Sequence, residues 1–324
     1  MTSLALPTTV LFALTLTLLP TIAPAWGRSG HQIIAAIAES RLTTSTLEQV
    51  HAIMGSQEPL AAVSTWADAV RRDRKETAPW HYVNIRIGTD GYDPAKCPND
   101  DCVTAVIPEL AQLITSDPET SATLRRERLM YLIHFVGDQS QPLHNANEDD
   151  EGGNRKKVEF FTKSANLHSI WDSQILGRYQ LQSAQTDAQL LERLNSEIRP
   201  EQIRLWARGT AIDWTMDSHR VGVEFAYPGW SETITTDYYV KSVGTVRVQL
   251  QKGGVRLAHQ LNSMFDERYD GTLPRLRASS LAEDAPDAAA APFNRLRESQ
   301  PTQASSEPST RDTPPPTSAK PSPP

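Results

Sequence analysis

Cysteine is scarce in this chain of 324 residues, because only Cys97 and Cys102 occur and just four residues separate them. A zinc knuckle would need two further soft ligands nearby, and none is present. The intervening Pro-Asn-Asp-Asp stretch favours a turn. In an exported protein the pair therefore predicts a small local disulfide loop.

Long hydrophobic runs are missing beyond the first 25 residues, so no later segment is apolar enough over a sufficient length to span a bilayer. Residues 1–25 carry no charged side chain and end in Ala23-Pro24-Ala25, the small-x-small pattern of a secretory cleavage site. We therefore expect a cleaved signal peptide and an exported protein, periplasmic or extracellular, that begins at Trp26 and has no stable membrane association.

A surplus of positive charge is also absent, because the formal net charge is −7 and the leader contributes none of it. This argues against a broad basic face for duplex DNA. It does not exclude a nuclease, since bound divalent cations would bring positive charge into a cleft.

Tyrosine and tryptophan are absent after Leu273, and that stretch has a single phenylalanine. Eleven of the 23 prolines lie between Pro274 and Pro324. Such a segment cannot bury enough apolar surface to offset the entropy lost on ordering, so we expect residues 271–324 to form a disordered tail. The function should then reside in residues 26–270.

Strand signals are few, and the stretch KVEFF at residues 157–161 is the best of them. Helical patterns dominate, with apolar residues recurring at intervals of three and four. They predict a first helix around Ile33–Ile37, a buried middle helix around Leu129–Val136, a helical stripe from Ile203 to Trp214, and a last helix that starts after the Gly-Gly break at residues 253–254. We expect one all-α domain with long functional loops.

Two histidine–aspartate pairs have the spacing of four residues that places both side chains on one face of a helix: His134/Asp138 and His168/Asp172. Imidazole nitrogens and carboxylate oxygens are good zinc ligands. The first pair lies in an apolar stretch, and burying it requires partners that a metal ion would supply. Pro142 should end that helix, so that His144 can point back toward the pair.

Other polar residues of the same kind stand in apolar surroundings, Asp68 in STWADAVRR and His81 in PWHYVNI. Cleavage after residue 25 would also free the α-amine of Trp26, whose pKa of about 8 lets a metal ion displace its proton at neutral pH. That amine, the carbonyl of Trp26 and His31 could together hold one ion.

Taken singly, a histidine–aspartate pair on a helix is more often an ordinary surface contact, and Asp68 or His81 is more often a core polar residue with partners. Trp26 and His31 alone could merely begin a buried helix. Five histidines, three aspartates and a new N-terminus of this type are hard to explain as separate coincidences, so together they predict a metal centre. Asn166 is placed to cap the helix that carries the second pair. The remaining histidines lack such settings and are interpreted as ordinary surface or helix residues: His51, His219 and His259.

The motifs WGRSGH, WADAVR, WHYVNI, HFVGDQSQPLH, GGN (152–154) and NLHSIWD occur in this order along the chain. They resemble the secreted zinc-dependent single-strand nucleases of the S1/P1 type, which include bifunctional nucleases of plants. The resemblance covers about residues 26–265. It implies the mainly helical fold that these nucleases share with the zinc phospholipases C.

The resemblance also implies three zinc ions, with Asp138 bridging the first and the third. The implied ligand sets are Asp68, His81 and His134 for the first ion, His144, His168 and Asp172 for the second, and the amine and carbonyl of Trp26 with His31 for the third.

Further roles follow from the same resemblance. Arg71 matches an arginine that steadies the phosphate during catalysis, Asn154 an asparagine beside the cluster, and Tyr82 an aromatic ring that stacks on a base. Asn84 stands where the members of this nuclease family from moulds have aspartate, which leaves the base preference open. Cys97 and Cys102 match a short disulfide loop in those enzymes.

The implied reaction is hydrolysis of single-stranded DNA and RNA to 5′-mononucleotides, with removal of 3′-phosphates from nucleotides, by a monomeric enzyme. Two close zinc ions would activate water for attack on phosphorus, with Asp68 orienting or deprotonating it. The remaining ion would stabilise the leaving 3′-oxygen, and Arg71 would bridge phosphate oxygens. A base must leave its stack to lie on Tyr82, which favours single strands.

Two other functions remain open on the sequence. A zinc phospholipase C would have glutamate in place of Asp172 and would lack the WADAVR context. A secreted zinc-binding protein without catalysis would need neither Arg71 nor Tyr82. Hydrolysis of phosphatidylcholine without hydrolysis of nucleic acid would favour the first, and hydrolysis of neither would favour the second.

Overall fold

The structure, a computed structural model, describes residues 26–117 and 120–274. The predicted signal peptide at residues 1–25, and the predicted tail from residue 275 onward, lie outside these residues. Among the described helices, none is both long and apolar enough to cross a membrane.

Helices make up most of the described chain, which confirms the predicted all-α domain. The α-helices are α1 (Arg28–Glu39), α2 (Thr44–Met54), α3 (Leu60–Val63), α4 (Trp66–Val70), α5 (Val103–Ser116), α6 (Ala122–Ser140), α7 (Leu167–Ser169), α8 (Ile175–Ser183), α9 (Asp187–Glu197), α10 (Pro200–Trp206), α11 (Ala211–Val221) and α12 (Thr236–Phe265). Short 3₁₀ segments cover Lys75–His81, Pro94–Lys96, Pro98–Asp100 and Pro142–His144, and π-helical turns cover Ile170–Gln174 and Gly222–Ala226. Strands β1 (Lys157–Phe160) and β2 (Lys163–Asn166) form one hairpin.

Helix α6 is the central helix of the fold and packs against α1, α5, α11 and α12. Ser121 caps its first turn by accepting the Leu124 N–H at 3.2 Å. Every residue from Glu127 to Ser140 is buried, as expected of a helix with neighbours on all sides. The helix ends at Ser140 because the residue before a proline avoids the helical region, which confirms the stop predicted at Pro142.

Helices α1 and α12 cross so closely that only glycine fits at the contact. A Cβ atom on Gly254 would lie 2.3 Å from Cγ2 of Ile37, and one on Gly253 would lie 3.1 Å from Cδ1 of Ile34. Helix α12 runs through both glycines without interruption. The predicted start of a last helix after a Gly-Gly break is therefore wrong. Burial along the crossing outweighs the low helix propensity of glycine, which costs about 1 kcal/mol per residue.

The apolar stripe predicted from Ile203 to Trp214 belongs to two helices, α10 and α11, rather than one. Between them Gly209 has a φ of +94°, which a helix does not allow. The Thr210 hydroxyl accepts the Asp213 N–H at 3.4 Å, and the Asp213 carboxylate accepts the Thr210 N–H at 2.7 Å. This capping box starts α11, and the periodicity of apolar residues does not detect it.

Strand β1 confirms the strand predicted at residues 157–161, and it pairs antiparallel with β2, which the sequence analysis did not identify. Asn166 at the end of β2 caps α7 as predicted, because its side-chain oxygen accepts the Ser169 N–H at 2.7 Å. The hairpin therefore leads directly into the helical segment that carries His168 and Asp172.

Cys97 and Cys102 form the predicted disulfide. The loop that they close lies directly before α5. The indole N–H of Trp80 donates to the carboxylate of Asp101 inside this loop. The loop is thereby tied to the segment that carries His81.

Candidate metal centre

Three groups of imidazole and carboxylate side chains converge in the described part of the chain. The first group consists of His31, His134 and Asp138, and the second of Asp68, His81 and His134. The third group consists of His144, His168 and Asp172. Within each group the atoms that could bind an ion all lie within 4.8 Å of one another. All five histidines and all three aspartates that the sequence singled out therefore belong to these groups.

Asp138 lies at the junction of the first two groups and is fully buried. Its Oδ1 is 3.2 Å from Nε2 of His31, and its Oδ2 is 2.9 Å from Nδ1 of His81 and 3.2 Å from Nε2 of His134. Oδ1 of Asp68 is 3.7 Å from the same nitrogens of His81 and His134. One turn of α6 and three other segments thus place two carboxylates among three imidazoles.

The charges in this part of the centre shift the pKa values of its members. Burial lowers the pKa of His134, but the carboxylates of Asp138 and Asp68 outweigh burial and raise it to about 9. Burial raises the pKa of Asp138, whereas His134 and the neighbouring rings of His31 and His81 hold it well below its usual range. A positive charge is therefore favoured between these side chains, and a bound cation would supply it.

In three of the histidines a backbone carbonyl determines which ring nitrogen faces the centre. Nδ1 of His144 donates to the carbonyl oxygen of His81 at 2.8 Å, and Nδ1 of His168 donates to that of Gly152 at 2.8 Å. Nδ1 of His134 donates to the carbonyl oxygen of Ser64 at 2.7 Å. Since a carbonyl oxygen can only accept, each Nδ1 carries a proton and each Nε2 faces the centre.

Several buried polar atoms in the three groups have no hydrogen-bond partner, as expected of side chains that could bind a cation. They are Oδ1 of Asp68, Oδ1 of Asp138, Oδ2 of Asp172, Nε2 of His31 and Nε2 of His81. In the third group, Oδ2 of Asp172 lies 3.3 Å from Nε2 of His168, so two acceptors face each other. Such an arrangement repels unless a proton or a cation lies between the atoms, and imidazole with carboxylate suits a divalent transition-metal ion.

Burial keeps the third group in a form that can receive a metal ion. It lowers the pKa of His144 to about 3 and also lowers the pKa of His168, so both rings are neutral. Neutral imidazole is the form that binds metals. Burial raises the pKa of Asp172 well above its usual range, which shows that its carboxylate lacks a compensating positive charge.

Trp26 is fully buried, although it is the first described residue. Its indole N–H donates to Oγ of Ser140 at 2.9 Å, and the next backbone N–H, of Gly27, donates to the carbonyl oxygen of Asp172 at 2.8 Å. A Cβ atom on Gly27 would lie 2.1 Å from Oγ of Ser173, so glycine permits this approach. The backbone at residue 26 is therefore held between the end of α6 and the turn that carries Asp172.

Arg71 follows the last residue of α4 and stands three positions after Asp68. Its Nε is buried without a hydrogen-bond partner. Burial lowers the pKa of His168 most, and the positive charge of Arg71 lowers it further. The guanidinium therefore lies close enough to the third group to act on it electrostatically.

Exposure alternates along the extended segment that follows His81. His81, Val83 and Ile85 are buried, whereas Tyr82 is half-buried and Asn84 is exposed. The Val83 N–H donates to the carbonyl oxygen of His144 at 2.8 Å, which fixes the segment beside the centre. Because successive side chains of an extended segment point to opposite faces, Tyr82 and Asn84 share the open side.

The Gly-Gly-Asn loop acts mainly through its backbone, a role that the sequence analysis missed. Gly152 and Gly153 have φ values of +62° and +84°, and the carbonyl of Gly152 orients His168. The glycines themselves were the available signal, since a positive φ favours glycine. The amide nitrogen of Asn154 donates to the carbonyl oxygen of Glu151 at 2.9 Å.

The other histidines lie on helices outside the three groups. His51 is partly exposed on α2. His219 on α11 is buried, not at the surface, and its Nδ1 donates to the carbonyl oxygen of Asn145 at 3.0 Å. His259 on α12 contacts the hydroxyl of Tyr269 at 3.0 Å. Their interpretation as helix residues is confirmed.

Comparison with known proteins finds similar sequences along nearly all of the described chain. The family described as S1/P1 Nuclease matches residues 26–266. Endonuclease 4 of Arabidopsis thaliana is 31% identical over 272 residues, covering 75% of this chain and 90% of that protein. Nuclease S1 of Aspergillus oryzae is 30% identical over 266 residues, covering 73% and 91%. Nuclease P1 of Penicillium citrinum is 28% identical over 273 residues, covering 74% and 97%.

Proposed function

Because this chain belongs to the S1/P1 nuclease family and is therefore a hydrolytic nuclease, we propose that it cleaves single-stranded DNA and RNA to 5′-mononucleotides. We also propose that it removes 3′-phosphates from nucleotides. The observation that carries the proposal is the convergence, in three groups, of eight buried or nearly buried side chains that could bind metal ions. Family membership decides against both alternatives, the phospholipase C and the zinc-binding protein without catalysis.

The metal ions of this proposal are zinc, and their number is three. Asp68, His81 and His134 would hold one ion, with His144, His168 and Asp172 holding a second. The amine and carbonyl of Trp26 would hold the remaining ion together with His31, and Asp138 would be shared. Bound zinc ions supply polarised water and stabilise negative charge on phosphate oxygens.

The chain's own side chains then orient the substrate and move the proton. Asp68 has the most accessible carboxylate of the three, with a side chain 16% exposed, whereas those of Asp138 and Asp172 are almost completely buried. It is therefore the carboxylate that would orient the attacking water and accept its proton. Arg71 would donate to the phosphate oxygens with its forked N–H groups as negative charge grows.

Preference for single strands is supported by the position of Tyr82. Its ring is half-buried and lies on the open side of the segment that follows His81. Stacking of a base on such a ring contributes about 1–3 kcal/mol. A base in a duplex must first be unpaired and unstacked, which costs a few kcal/mol, so the duplex loses this advantage.

The test uses mature protein beginning at Trp26, loaded with zinc, and assays single-stranded DNA, single-stranded RNA, duplex DNA, 3′-AMP and phosphatidylcholine. We expect hydrolysis of both single strands and of 3′-AMP, little hydrolysis of the duplex, none of the lipid, and loss of all activity with EDTA. Activity that persists in EDTA, or duplex cleavage as fast as single-strand cleavage, would contradict the proposal.

A further inference from the structure

The side chain of Gln141 is fully buried, and the residue joins the segments that carry Asp138, His144 and Asp172. Its backbone N–H donates to the carbonyl oxygen of Asp138 at 2.9 Å. Its own carbonyl oxygen accepts the His144 N–H at 3.1 Å and the side-chain amide of Asn145 at 2.8 Å. The residue therefore fixes the turn between Asp138 at the end of α6 and His144.

The orientation of the Gln141 side chain is determined by the backbone. The Leu143 N–H donates to Oε1 of Gln141 at 2.5 Å. A backbone N–H can only donate, so the oxygen of the amide must face Leu143 and its nitrogen must face the other way. On that side, Nε2 donates to Oδ1 of Asp172.

The two oxygens of Asp172 consequently differ. Oδ1 is engaged by Gln141, whereas Oδ2 is buried without a donor and lies 3.3 Å from Nε2 of His168. A carboxylate held by one oxygen cannot rotate freely, and it presents mainly its other oxygen to an ion. Donors that hold a ligand in this way strongly influence metal affinity, and their loss typically lowers affinity about 10–100-fold.

We infer that Gln141 is a positioning residue that makes Asp172 a one-oxygen ligand and thereby keeps the site of His144, His168 and Asp172 selective for zinc. This rests on the proposed function, since it requires that the group binds an ion. Zinc accepts four ligands from nitrogen and oxygen, whereas manganese and calcium favour a larger number of oxygen ligands. A second free oxygen on Asp172 would therefore favour the larger ions.

The test compares two variants of the zinc-free mature protein, each of which loses one buried glutamine amide. Gln141→Met removes the donor to Asp172 at nearly constant shape. Gln251→Met is the matched control, because Gln251 is also buried and its Nε2 donates to the carbonyl oxygen of Leu194 at 2.9 Å, on α9, a helix that carries no candidate ligand. Both variants and the wild type are titrated with zinc and with manganese against a chromophoric chelator.

For Gln141→Met we expect the affinity for one of the zinc ions to fall about 10–100-fold, with a smaller loss of affinity for manganese. The cobalt-loaded variant should also absorb visible light more weakly, because the absorption falls as the coordination number rises. Gln251→Met should match the wild type in both measurements, although both variants lose thermal stability. Wild-type affinity for every ion in Gln141→Met, or an equal loss in Gln251→Met, would overturn the inference.

Two further variants distinguish failure of this inference from failure to fold and from failure of the proposed metal site. If Gln141→Met does not fold, Gln141→Asn keeps a polar amide that is one carbon too short to bond Leu143 and Asp172 together, and the same weakened site is expected. Wild-type zinc affinity in that folded variant would overturn the inference. His168→Ala must lose one ion compared with the wild type, and if it does not, the proposed metal site itself is wrong.

Discussion

In three of the candidate histidine ligands, a single hydrogen bond to the main chain fixes the orientation of the ring. His134, His144 and His168 each donate from Nδ1 to a carbonyl oxygen, which prevents rotation of the ring and makes Nε2 more basic. The acceptors belong to Ser64, His81 and Gly152 as backbone atoms. Replacing the side chain at position 64 would therefore leave the orientation of His134 unchanged.

Tyr82 supplies the clearest test at the scale of one residue. In Tyr82→Ala we expect the KM for single-stranded oligonucleotides to rise about 5–150-fold, because about 1–3 kcal/mol of stacking is lost. The zinc content should not change, since Tyr82 is not among the convergent groups. Steady-state kinetics and metal analysis measure both effects.

The control for this variant is Tyr269→Ala, which also removes a partly exposed tyrosine but lies beside His259 on α12. Its KM should equal that of the wild type. An unchanged KM in Tyr82→Ala would assign the ring a packing role only.

Residue type and setting were sufficient to predict which histidines and aspartates converge, because a buried polar side chain needs a partner. The sequence could not reveal which nitrogen of His144 or His168 faces inward. That depends on carbonyl groups at residues 81 and 152, which are distant in sequence from their partners and have no side-chain signature. The role of Gln141 was missed for the same reason.

At the scale of elements, the crossing of α1 and α12 depends on the absence of a side chain at one position. In Gly254→Ala the new Cβ would lie 2.3 Å from Ile37, so the helices must separate. We expect a loss of about 1–3 kcal/mol in the free energy of unfolding, as is typical of overpacking. Urea unfolding followed by circular dichroism measures this loss.

Gly244→Ala on the same helix is the matched control. A Cβ atom there meets nothing within 4 Å, so the substitution should stabilise the protein by about 0.5–1 kcal/mol through helix propensity alone. Equal effects of the two substitutions would contradict a close crossing.

Helices α11 and α12 are joined by Asp217, whose Oδ2 accepts from Lys252 at 2.7 Å and from Arg256 at 2.6 Å. Burial raises the pKa of Asp217, but Arg256 and Lys252 outweigh burial and lower it below its ordinary value of 3.8. A carboxyl with a lowered folded-state pKa stabilises the fold above its unfolded pKa, and this stabilisation is lost as the pH falls through the folded pKa.

Asp217→Asn should therefore reduce the free energy of unfolding by about 1–3 kcal/mol at pH 7, less than a fully buried pair would lose because Asp217 is partly exposed. The difference from the wild type should shrink as the pH falls below 4. Unfolding of both proteins is measured in the presence of EDTA at each pH, so that neither protein holds a metal ion that acid could release. A difference that is constant from pH 7 to pH 3 would contradict the prediction.

Apolar periodicity predicted that helices exist but not where two of them begin. The break between α10 and α11 arises from Gly209 and the capping box of Thr210, which are local signals hidden within a regular apolar stripe. At residues 253–254 the error was the reverse. A local signal for a break was present, and packing against Ile37 outweighed it.

At the scale of the whole molecule, the eight convergent side chains come from segments spread between His31 and Asp172, yet their three groups lie beside one another. Nδ1 of His144 is 3.9 Å from Oδ1 of Asp138, which links the third group to the other two. The order of the motifs predicted the family, and the periodicity of apolar residues predicted the all-α fold. The signal peptide, the tail and the site of export stay predictions, since they concern residues outside the described ranges or conditions outside the chain.

The position of Trp26 gives a prediction for the whole chain. A mature protein with one extra alanine before Trp26 should bind one zinc ion fewer and lose most of its activity, because an amide nitrogen cannot replace the α-amine as a ligand. Metal analysis and the single-strand assay measure both effects against protein that begins at Trp26. Full metal content and full activity in the extended protein would refute coordination by the amine.

The enclosed backbone of residue 26 has a consequence for the life history of the enzyme. While a peptide bond still joins residues 25 and 26, the backbone nitrogen of Trp26 has no lone pair available for a cation. We therefore expect the precursor to be a zymogen whose latency ends only when the leader peptidase acts. Such an arrangement would spare the messenger RNA of the cell that synthesises it.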